Sequence, residues 1–377
     1  MALPRTPPTP RFPSSMGSHT PAAHSTKVIV AGKSEVVCAP ILESLKSMAG
    51  VEVIAQPVTG GLVRTHLRQE HVDVVVMDIG MREIDGLKAI PKILAVDPDV
   101  KIIMVATLTF RNVKIIMDGL VAGAVEIVTL PVSRNKKSID SKFRLELTSK
   151  VKALARARRR PPDAKRTIVA PVKAKIQLRE PSSKRPEIIA IGSSTGGPRV
   201  LVSLFEQLPP VIPQPILITQ HMPASFMTQM AGHITKAGKW VCELAKDGEE
   251  LKSGRVYLAP GDVHMTVAGN SIRKRIRLTD DPPVNYCRPA VDPMFTSLAK
   301  VYGPRVLGII FTGMGRDGLA GSRKIVEAGG TVIAQDEESS IVWGMPAAVA
   351  EAGICSKVDT PEALLTFILN FARKNDG

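Results

Sequence analysis

Short apolar runs alternate with amphipathic stretches from Thr26 to about Val132, and this alternation strongly constrains how the chain can fold. Each run suits one buried strand, and each intervening stretch has the spacing of a helix with one apolar face. The predicted strands are Val28–Ala31, Val51–Ala55, Val74–Met77, Ile102–Val105 and Val125–Val128, and the predicted helices are Val36–Met48, Gly61–Glu70, Leu87–Val96 and Val113–Ala122. Five alternating units predict an α/β domain of the doubly wound, flavodoxin-like class.

A serine-containing turn follows a later apolar run. The run Ile188–Ile191 reads as a buried strand, residues 192–197 read Gly-Ser-Ser-Thr-Gly-Gly, and a helix is predicted to begin at Pro198. A serine at such a turn lies at the carboxyl edge of a parallel sheet, where the first N–H groups of the next helix point towards its hydroxyl. Ser194 is the central residue of this G-x-S-x-G pattern, which by itself more often marks a structural or phosphate-binding turn than a nucleophile.

Two further strand ends carry matching chemistry. His221 follows the predicted strand Pro215–Thr219, and Asp317 follows the predicted strand Val306–Phe311 through a glycine-rich segment. The carboxyl ends of parallel strands share one edge, so Ser194, His221 and Asp317 are predicted to meet there. A hydroxyl nucleophile, an imidazole base and an orienting carboxylate form a catalytic triad. Singly, His221 is more typical of a bonded strand-end histidine and Asp317 of a helix N-cap, and the coincidence of all three is what indicates a site. Their order differs from that of α/β-hydrolases, in which the carboxylate precedes the histidine.

The motifs from about Glu187 to the C-terminus also follow a known order. They comprise residues 192–197, 221–223, 257–265, 288–289, 291–292, 312–318, 334–337 and 343–346. Together they resemble the catalytic domain of chemotaxis protein-glutamate methylesterases, which implies a doubly wound parallel-sheet domain. The resemblance implies that Ser194 is the nucleophile, His221 the general base and Asp317 its orienting partner, with Thr195 and the Met314 backbone at the oxyanion site and cleft. It also implies hydrolysis of glutamyl methyl esters, and deamidation of glutamines, on the cytoplasmic helices of chemoreceptors.

The N-terminal motifs are similar to those of response-regulator receivers. The matching segments are Val75–Asp78, Ile84–Gly86, Val105–Thr107, Gly123-Ala124 and Pro131. The resemblance places Asp78 at the phospho-acceptor position and Thr107 at the switch position. It also implies a histidine kinase of the chemotaxis type as a partner.

Three substitutions depart from the receiver pattern. Gly32 and Lys33 stand where receivers carry an acidic pair for Mg²⁺, and Leu130 stands where they carry a lysine that contacts the phosphoryl group. Mg²⁺ needs converging oxygen ligands, so we expect poor metal binding and no phosphorylation of Asp78 by the usual route. We expect Lys33 to form an ion pair with Asp78 instead.

A basic segment separates the two sets of motifs. Residues 134–185 contain 18 Lys and Arg against four acidic residues, nearly the whole excess in a chain of net charge +15. We predict a basic linker over residues 134–186, including one helix, between a degenerate receiver-like domain at 27–133 and a catalytic domain at 187–377. An extended tether is favoured over a patch for anionic lipid, nucleic acid or an acidic partner, because Phe143 is the single aromatic residue among the charges.

The remaining composition suggests where the protein acts. The first 26 residues carry six prolines and no apolar signal core, so they are predicted to be a disordered tail. No apolar run is long enough to cross a bilayer. The four cysteines lack C-x-x-C spacing, which indicates a reduced, cytoplasmic protein without structural zinc.

Other functions stay open from the sequence. A non-enzymatic signalling scaffold that docks through the basic linker is one alternative, and a hydrolase of another ester or amide is the second. A complete catalytic set favours an enzyme, because a scaffold has no need of one. Asp262, His264 and Asp292 have side chains of the types that bind metals, but neither a closed nitrogen and sulfur set nor converging oxygens is evident, so neither metal nor cofactor is predicted.

Overall fold

The computed structural model describes residues 25–80, 86–107, 109–130, 141–159, 176–270 and 273–373. All but the last two residues of the predicted N-terminal tail lie outside these ranges. No helix among the described residues combines the length and apolar character needed to span a membrane.

The first domain is a five-stranded parallel sheet covered by helices. Its strands are β1 (Thr26–Ala31), β2 (Val51–Ala55), β3 (Val74–Asp78), β4 (Lys101–Thr107) and β5 (Glu126–Leu130), and its helices are α1 (Glu35–Lys46), α2 (Gly60–Gln69), α3 (Gly86–Leu94), α4 (Phe110–Val121) and α5 (Ser141–Arg158). The strand order β2-β1-β3-β4-β5 is that of flavodoxin-like folds and confirms the predicted class. The predicted helix and strand ends differ from those observed by at most three residues.

Both faces of this sheet are buried, which explains its valine- and isoleucine-rich strands. Side chains alternate between faces, so Val28 and Val30 of β1 pack with Ile41 of α1, whereas Ile29 packs in the core on the opposite face with Val63 of α2. Because all five strands run parallel, the last residue of each strand lies at the carboxyl edge of the sheet.

Helix α5 belongs to the first domain, although residues 141–158 are predicted from the sequence to lie in the linker. Its apolar face is buried against the same core as Val28 and Ile41, through the five residues Phe143, Leu147, Val151, Leu154 and Ala155. Burial of that stripe holds α5 on the sheet, so this part of the chain is not an extended tether.

Two arginines at the end of α5 are ion-paired within the first domain. Arg158 makes a bidentate contact with Asp97, with N–O distances of 3.0 and 2.6 Å, and its side chain is 6% exposed. Arg159 holds the fully buried Asp73 at 3.0 and 2.6 Å and also donates to the Ser25 carbonyl at 2.7 Å. Although burial alone would raise the pKa of Asp73, its bonds to Arg159 and other donors hold that pKa below its usual range. These arginines stabilise the domain and do not form an open basic patch.

We expect Arg158→Gln together with Arg159→Gln to lower the free energy of unfolding of the first domain by about 3 kcal/mol, because the buried Asp73 and the partly buried Asp97 lose their cationic partners. Arg156→Gln is the matched control, since Arg156 is exposed in the last turn of the same helix. Denaturant unfolding checks this. Equal midpoints for the double variant and the control would contradict it.

The second domain is built on a seven-stranded parallel sheet. Its strands are β6 (Ile188–Ser193), β7 (Ile216–Gln220), β8 (Val241–Leu244), β9 (Arg255–Leu258), β12 (Val306–Ile310), β13 (Thr331–Gln335) and β14 (Lys357–Asp359), and β10 (His264–Gly269) with β11 (Lys274–Thr279) forms an antiparallel hairpin. Its helices are α6 (Gly197–Gln207), α7 (Ala224–Gly238), α8 (Val291–Tyr302), α9 (Leu319–Glu327), α10 (Met345–Glu351) and α11 (Pro361–Ala372). The order β14-β13-β12-β6-β7-β9-β8 confirms a doubly wound parallel sheet.

The order of the central strands brings three chain segments together. Strand β6 pairs with β12 on one side and with β7 on the other, all parallel. The segments that follow these three strands therefore begin side by side at the carboxyl edge, as predicted.

The two domains share an extensive contact. Helix α4 of the first domain packs against α6 and α7 of the second, and apolar residues of these helices belong to one continuous core. Asp118 of α4 also lies 3.1 Å from Nε2 of His233 in α7.

The part of the predicted linker nearest the second domain is attached to it. The Ser182 N–H donates to Thr331 Oγ1 at 2.8 Å, and the Arg179 N–H donates to the Cys355 carbonyl at 3.0 Å. Residues 160–175, the middle of the predicted linker, lie outside the described part of the chain.

Candidate active site

Ser194 lies in a tightly fixed turn between β6 and α6. Its N–H donates to the Thr312 carbonyl at 3.1 Å, and its own carbonyl accepts from Gly197 N at 2.8 Å and from Gln220 Nε2 at 2.9 Å. Gly196 has a φ of +77°, a left-handed backbone that glycine adopts at little cost, and it is the N-cap of α6. The serine is therefore held at the start of a helix, as its sequence pattern predicts.

His221 follows β7 and contacts two side chains. Its Nε2 lies 2.8 Å from Asp317 Oδ2, and its Nδ1 lies 3.5 Å from the sulfur of Cys287. Its backbone N–H donates to the Ser193 carbonyl at 3.0 Å, which fixes the histidine beside the serine turn. Among the described residues, the Ser194 hydroxyl has no hydrogen-bond partner in this conformation. The imidazole is thus oriented by Asp317, and Nδ1 is the nitrogen left for a substrate-side proton.

Asp317 accepts three backbone hydrogen bonds besides the imidazole contact. Val291 N donates to Oδ2 at 2.6 Å, while Asp292 N and Gly318 N donate to Oδ1 at 3.1 and 2.9 Å. Two of these donors, the N–H groups of Val291 and Asp292, belong to the first turn of α8, so the N-terminus of that helix stabilises the negative charge of Asp317.

The donors to this carboxylate, apart from the imidazole, are therefore three backbone N–H groups and one side-chain amide, that of Asn285, whose Nδ2 lies 3.1 Å from Oδ1. Burial alone would raise the pKa of Asp317, but the bond to His221 and the N–H donors of α8 outweigh it and lower that pKa. Asp317 is thus held as an anion against the imidazole.

The charge on Asp317 in turn affects His221. Burial alone would lower the pKa of the imidazole, but its contacts with Asp317 and Cys287 outweigh burial and raise that pKa to about 9. The imidazole therefore holds a proton firmly in this conformation.

A cavity of about 440 Å³ joins these groups and has walls from both domains. The second domain contributes Ser194, Thr195, His221, Cys287 and Met314, and the first domain contributes residues of α4, β5 and α5. The sequence-predicted residues Ser194, His221, Thr195 and Met314 thus line one space, with Asp317 behind the imidazole.

Thr195 and Met314 both line this cavity, and their backbone N–H groups have no hydrogen-bond partner among the described residues. Free N–H groups beside a nucleophile can stabilise a developing oxyanion. The Met314 loop is held close to the serine, because a Cβ on Gly313 would lie 2.8 Å from Ser194 Cβ. It is also braced from behind, since Gly313 O accepts from Gly344 N and Met345 N at 3.1 and 2.8 Å.

Glu126 of β5 connects the first domain to the serine turn. One carboxylate oxygen accepts from Thr195 Oγ1 at 2.6 Å, and the other lies 2.7 Å from Lys150 Nζ of α5. The neighbouring Val125 carbonyl accepts from Gly196 N at 3.2 Å. The first domain thus contacts Thr195 and Gly196, the two residues that follow the candidate nucleophile.

The pocket around Asp78 differs from the expectation for Lys33. Lys33 is exposed, and no ion pair joins it to Asp78 among the described residues. The carboxylate instead accepts from the backbone of Gly80, at 2.8 Å, and of Ser34. Burial raises the pKa of Asp78 despite these donors. The predicted Lys33–Asp78 pair was wrong, because backbone N–H groups already occupy the carboxylate.

Cys38 of α1 fills the space beside Gly32. A Cβ on Gly32 would lie 2.5 Å from Cys38 Sγ and 3.0 Å from Asp78 Cβ. An acidic side chain at position 32 would therefore need the cysteine to move. Leu130 is buried in the core beneath α5, and Thr107 is half-buried at the end of β4.

The side chains of His264 and Asp292, two of the three candidate metal ligands, have other partners. The two ring nitrogens of His264 lie 3.1 Å from the Pro282 carbonyl and 3.1 Å from the N–H of Ala290. Asp292 Oδ1 accepts from Gly321 N at 2.7 Å. Within the described ranges, no group of three or more His, Cys, Asp or Glu is arranged to hold a metal ion. Arg288, which belongs to the matching motif at residues 288–289, donates to the carbonyls of Asp280 and Asp281.

Four residues of the site escaped sequence reasoning: Gln220, Asn285, Cys287 and Glu126. Gln220 directly precedes His221, and its position at the end of β7 was a usable signal. The other three lie outside the strand-end pattern of the second domain, and only the folded chain brings them to the cavity.

Comparison with known proteins follows the same division into domains. The family model described as CheB methylesterase matches residues 189–368, and that described as response regulator receiver domain matches residues 28–138. A protein-glutamate methylesterase/protein-glutamine glutaminase of Paramagnetospirillum magneticum is 42% identical over 95% of this chain and 99% of its own length. One from Azospirillum brasilense is 44% identical over 94% and 96%.

Among solved structures, the CheB methylesterase catalytic domain of Thermotoga maritima is similar at 39% identity, with a TM-score of 0.47. It covers 49% of this chain, and all of that domain is matched. The identity of 42% and 44% to the curated relatives, which extends over nearly their full length, and the two family-model matches are stronger findings than this structural similarity. The chain belongs to the protein-glutamate methylesterase/protein-glutamine glutaminase family, with a receiver domain ahead of a CheB methylesterase domain.

Proposed function

We propose that this protein hydrolyses glutamyl methyl esters on chemoreceptors, and deamidates receptor glutamines, with Ser194, His221 and Asp317 as its catalytic triad. The observation that carries the proposal is that serine and imidazole line one cavity while a buried carboxylate anion holds the imidazole at 2.8 Å. The names of the relatives supply the substrate class.

The chemistry follows from the geometry. Ser194 Oγ attacks the ester carbonyl while His221 Nδ1 takes the hydroxyl proton, and Asp317 stabilises the imidazolium. The N–H groups of Thr195 and Met314 stabilise the oxyanion. The imidazolium returns its proton to the leaving methoxide, methanol departs, and water hydrolyses the acyl-enzyme with His221 again as the base. A glutamine side chain follows the same steps and releases ammonia.

The direct test is incubation with receptor membranes that carry labelled methyl esters. We expect methanol release that depends on the amount of protein, and conversion of specific receptor glutamines to glutamates by mass spectrometry. Absence of both products from folded protein would exclude the proposed substrates. The receptor segments modified by the family are cytoplasmic helices, so we place the reaction in the cytoplasm.

We expect kcat/KM to rise with pH through the pKa of His221, about 9, because only the neutral imidazole accepts the serine proton. Cys287→Ala should move this rise to lower pH, since the contact with Cys287 is one cause of the raised pKa. Cys38→Ala, in the first domain, is the control and should leave the profile unchanged. A profile already flat above about pH 7 would contradict this account.

The receiver domain is proposed to restrain the catalytic cavity, and a partner that binds the receiver would relieve the restraint. Support comes from the wall formed by α4, β5 and α5 and from the contacts of Glu126 and Val125 with Thr195 and Gly196. A histidine kinase of the chemotaxis type is the partner implied by a receiver.

A small-molecule phosphodonor with Mg²⁺ is expected neither to label Asp78 nor to raise esterase activity, because Gly32 and Lys33 supply no metal-binding carboxylate. Changing Gly32→Asp, Lys33→Asp and Leu130→Lys together with Cys38→Ala should restore labelling, since the last change frees the space beside position 32. Radiolabel on Asp78 measures both proteins. Robust Mg²⁺-dependent labelling of the wild type would contradict the expectation.

A further inference from the structure

The triad carboxylate Asp317 lies side by side with a second carboxylate, that of Asp292. Asp292, the second residue of α8, is 9% exposed, and Asp317 is 2% exposed. Their side chains are in contact, and burial followed by the neighbouring Asp317 contributes to a raised pKa of Asp292. Two like charges in a poorly solvated space repel each other strongly. A hydrogen-bond donor or a proton between the two carboxylates is therefore needed to offset their repulsion.

Asn285 lies between them. Its Nδ2 donates to Asp292 Oδ2 at 2.9 Å and to Asp317 Oδ1 at 3.1 Å, so one neutral amide supplies a proton to each carboxylate. Apart from the His221 imidazole, the other donors to these carboxylates are backbone N–H groups of α8 and of the start of α9, which are fixed by the fold.

The backbone holds Asn285 in this position. The turn from Val284 to Cys287 is closed by reciprocal backbone hydrogen bonds of 3.1 and 2.9 Å, and Asn285 has a φ of +51°. Asparagine tolerates this left-handed conformation better than most residues. The same turn places Cys287 against the imidazole, so it reaches the triad from both sides.

We propose that Asn285 is a positioning residue of the triad: by bridging Asp292 and Asp317 it keeps both carboxylates satisfied and holds Asp317 ionised and directed at His221. This inference rests on the proposed function of the triad. Asn285 acts through Asp317 and needs no contact with the substrate.

The bridge makes a specific demand on Asp292. Without the Asn285 amide, no donor is shared between the carboxylates of Asp292 and Asp317. Asp292 can then remain beside Asp317 without repulsion only when it binds a proton and donates it. The titratable groups that face Asp317 are His221, at the end of β7, and Asp292, in α8, and Cys287 faces the far side of the imidazole. The loss of Asn285 should therefore matter more at high pH, where Asp292 is ionised, than at low pH.

The test uses Asn285→Gly in the full chain. Glycine adopts a φ of +51° freely, so the variant keeps the backbone of the turn and loses only the amide. We expect kcat on methylated receptor to fall about 10- to 100-fold with little change in KM, and the loss to grow as pH rises. Asn270→Gly is the matched control, because Asn270 also closes a turn through its side chain, at 3.0 Å from the Arg273 N–H, away from the cavity.

Adding Asp292→Asn to Asn285→Gly separates the bridge from a merely structural role. The amide at position 292 keeps an oxygen for Gly321 N and offers a donor to Asp317, so kcat should recover most of the loss and the extra pH dependence should disappear. A wild-type kcat in Asn285→Gly, or no recovery in the double variant, would overturn the inference. Failure of the wild type itself to hydrolyse the ester would instead overturn the proposed function.

Discussion

Ser194→Ala is expected to reduce ester hydrolysis to about a millionth of the wild-type rate, because the imidazole then has no hydroxyl to activate. The fold should be unaffected, since the Ser194 hydroxyl has no hydrogen-bond partner among the described residues. Methanol release from labelled receptor, with circular dichroism as the check on folding, measures the effect.

Ser193→Ala is the matched control in the same turn. Ser193 is fully buried, and its hydroxyl donates to Gln220 Oε1 at 2.6 Å. Its loss should cost about 1 kcal/mol of stability and leave catalysis within about tenfold of the wild type. A greater loss of activity in Ser193→Ala than in Ser194→Ala would show that Ser194 is not the nucleophile.

Removal of residues 1–175 is expected to raise kcat/KM about 5- to 150-fold, the range of ordinary coupling between domains. The deletion removes the α4, β5 and α5 wall of the cavity and the contact of Glu126 with Thr195. It keeps residues 176–186, which are bonded to the second domain through Arg179 and Ser182.

Glu126→Ala in the full chain tests the same restraint without deleting a domain. It should raise kcat/KM by less than the deletion does, because the packing of α4 on α6 and α7 remains. Glu43→Ala is its control, since Glu43 pairs with Arg144 within the α1–α5 contact of the first domain and neither residue lines the cavity. A folded deletion protein with no gain in turnover would show that the receiver does not restrain the site.

The fold and the three triad positions could be predicted because both depend on local pattern. Alternating apolar runs fixed the parallel sheets, and parallel strands put their carboxyl ends at one edge, so Ser194, His221 and Asp317 were predicted to meet. Their assignment as a working triad stays a prediction that the experiments above address.

Contacts between distant segments could not be predicted in this way. Arg158 and Arg159 read as linker charges, because their partners Asp97 and Asp73 lie 61 and 86 residues earlier in the chain. Glu126 reads as an ordinary strand residue until the second domain packs against it. Asn285 lies in a turn, and its reach to Asp317 depends on where α8 begins.

The expected Lys33–Asp78 pair failed for a related reason. The sequence places Lys33 and Asp78 at the ends of two strands of one sheet, but it does not show that the backbone of Ser34 and Gly80 already satisfies the carboxylate. Nor does it show that Cys38 occupies the space beside Gly32.

The central claim is that Ser194, His221 and Asp317 act as one catalytic unit on receptor glutamyl esters. Its most direct test is methanol release from methyl-labelled receptor by the wild type, Ser194→Ala, His221→Ala and the double variant, measured side by side. Members of a triad fail together, so the double variant should be no slower than Ser194→Ala alone, and both single variants should lose nearly all activity. Near wild-type release of methanol by folded Ser194→Ala would contradict the account.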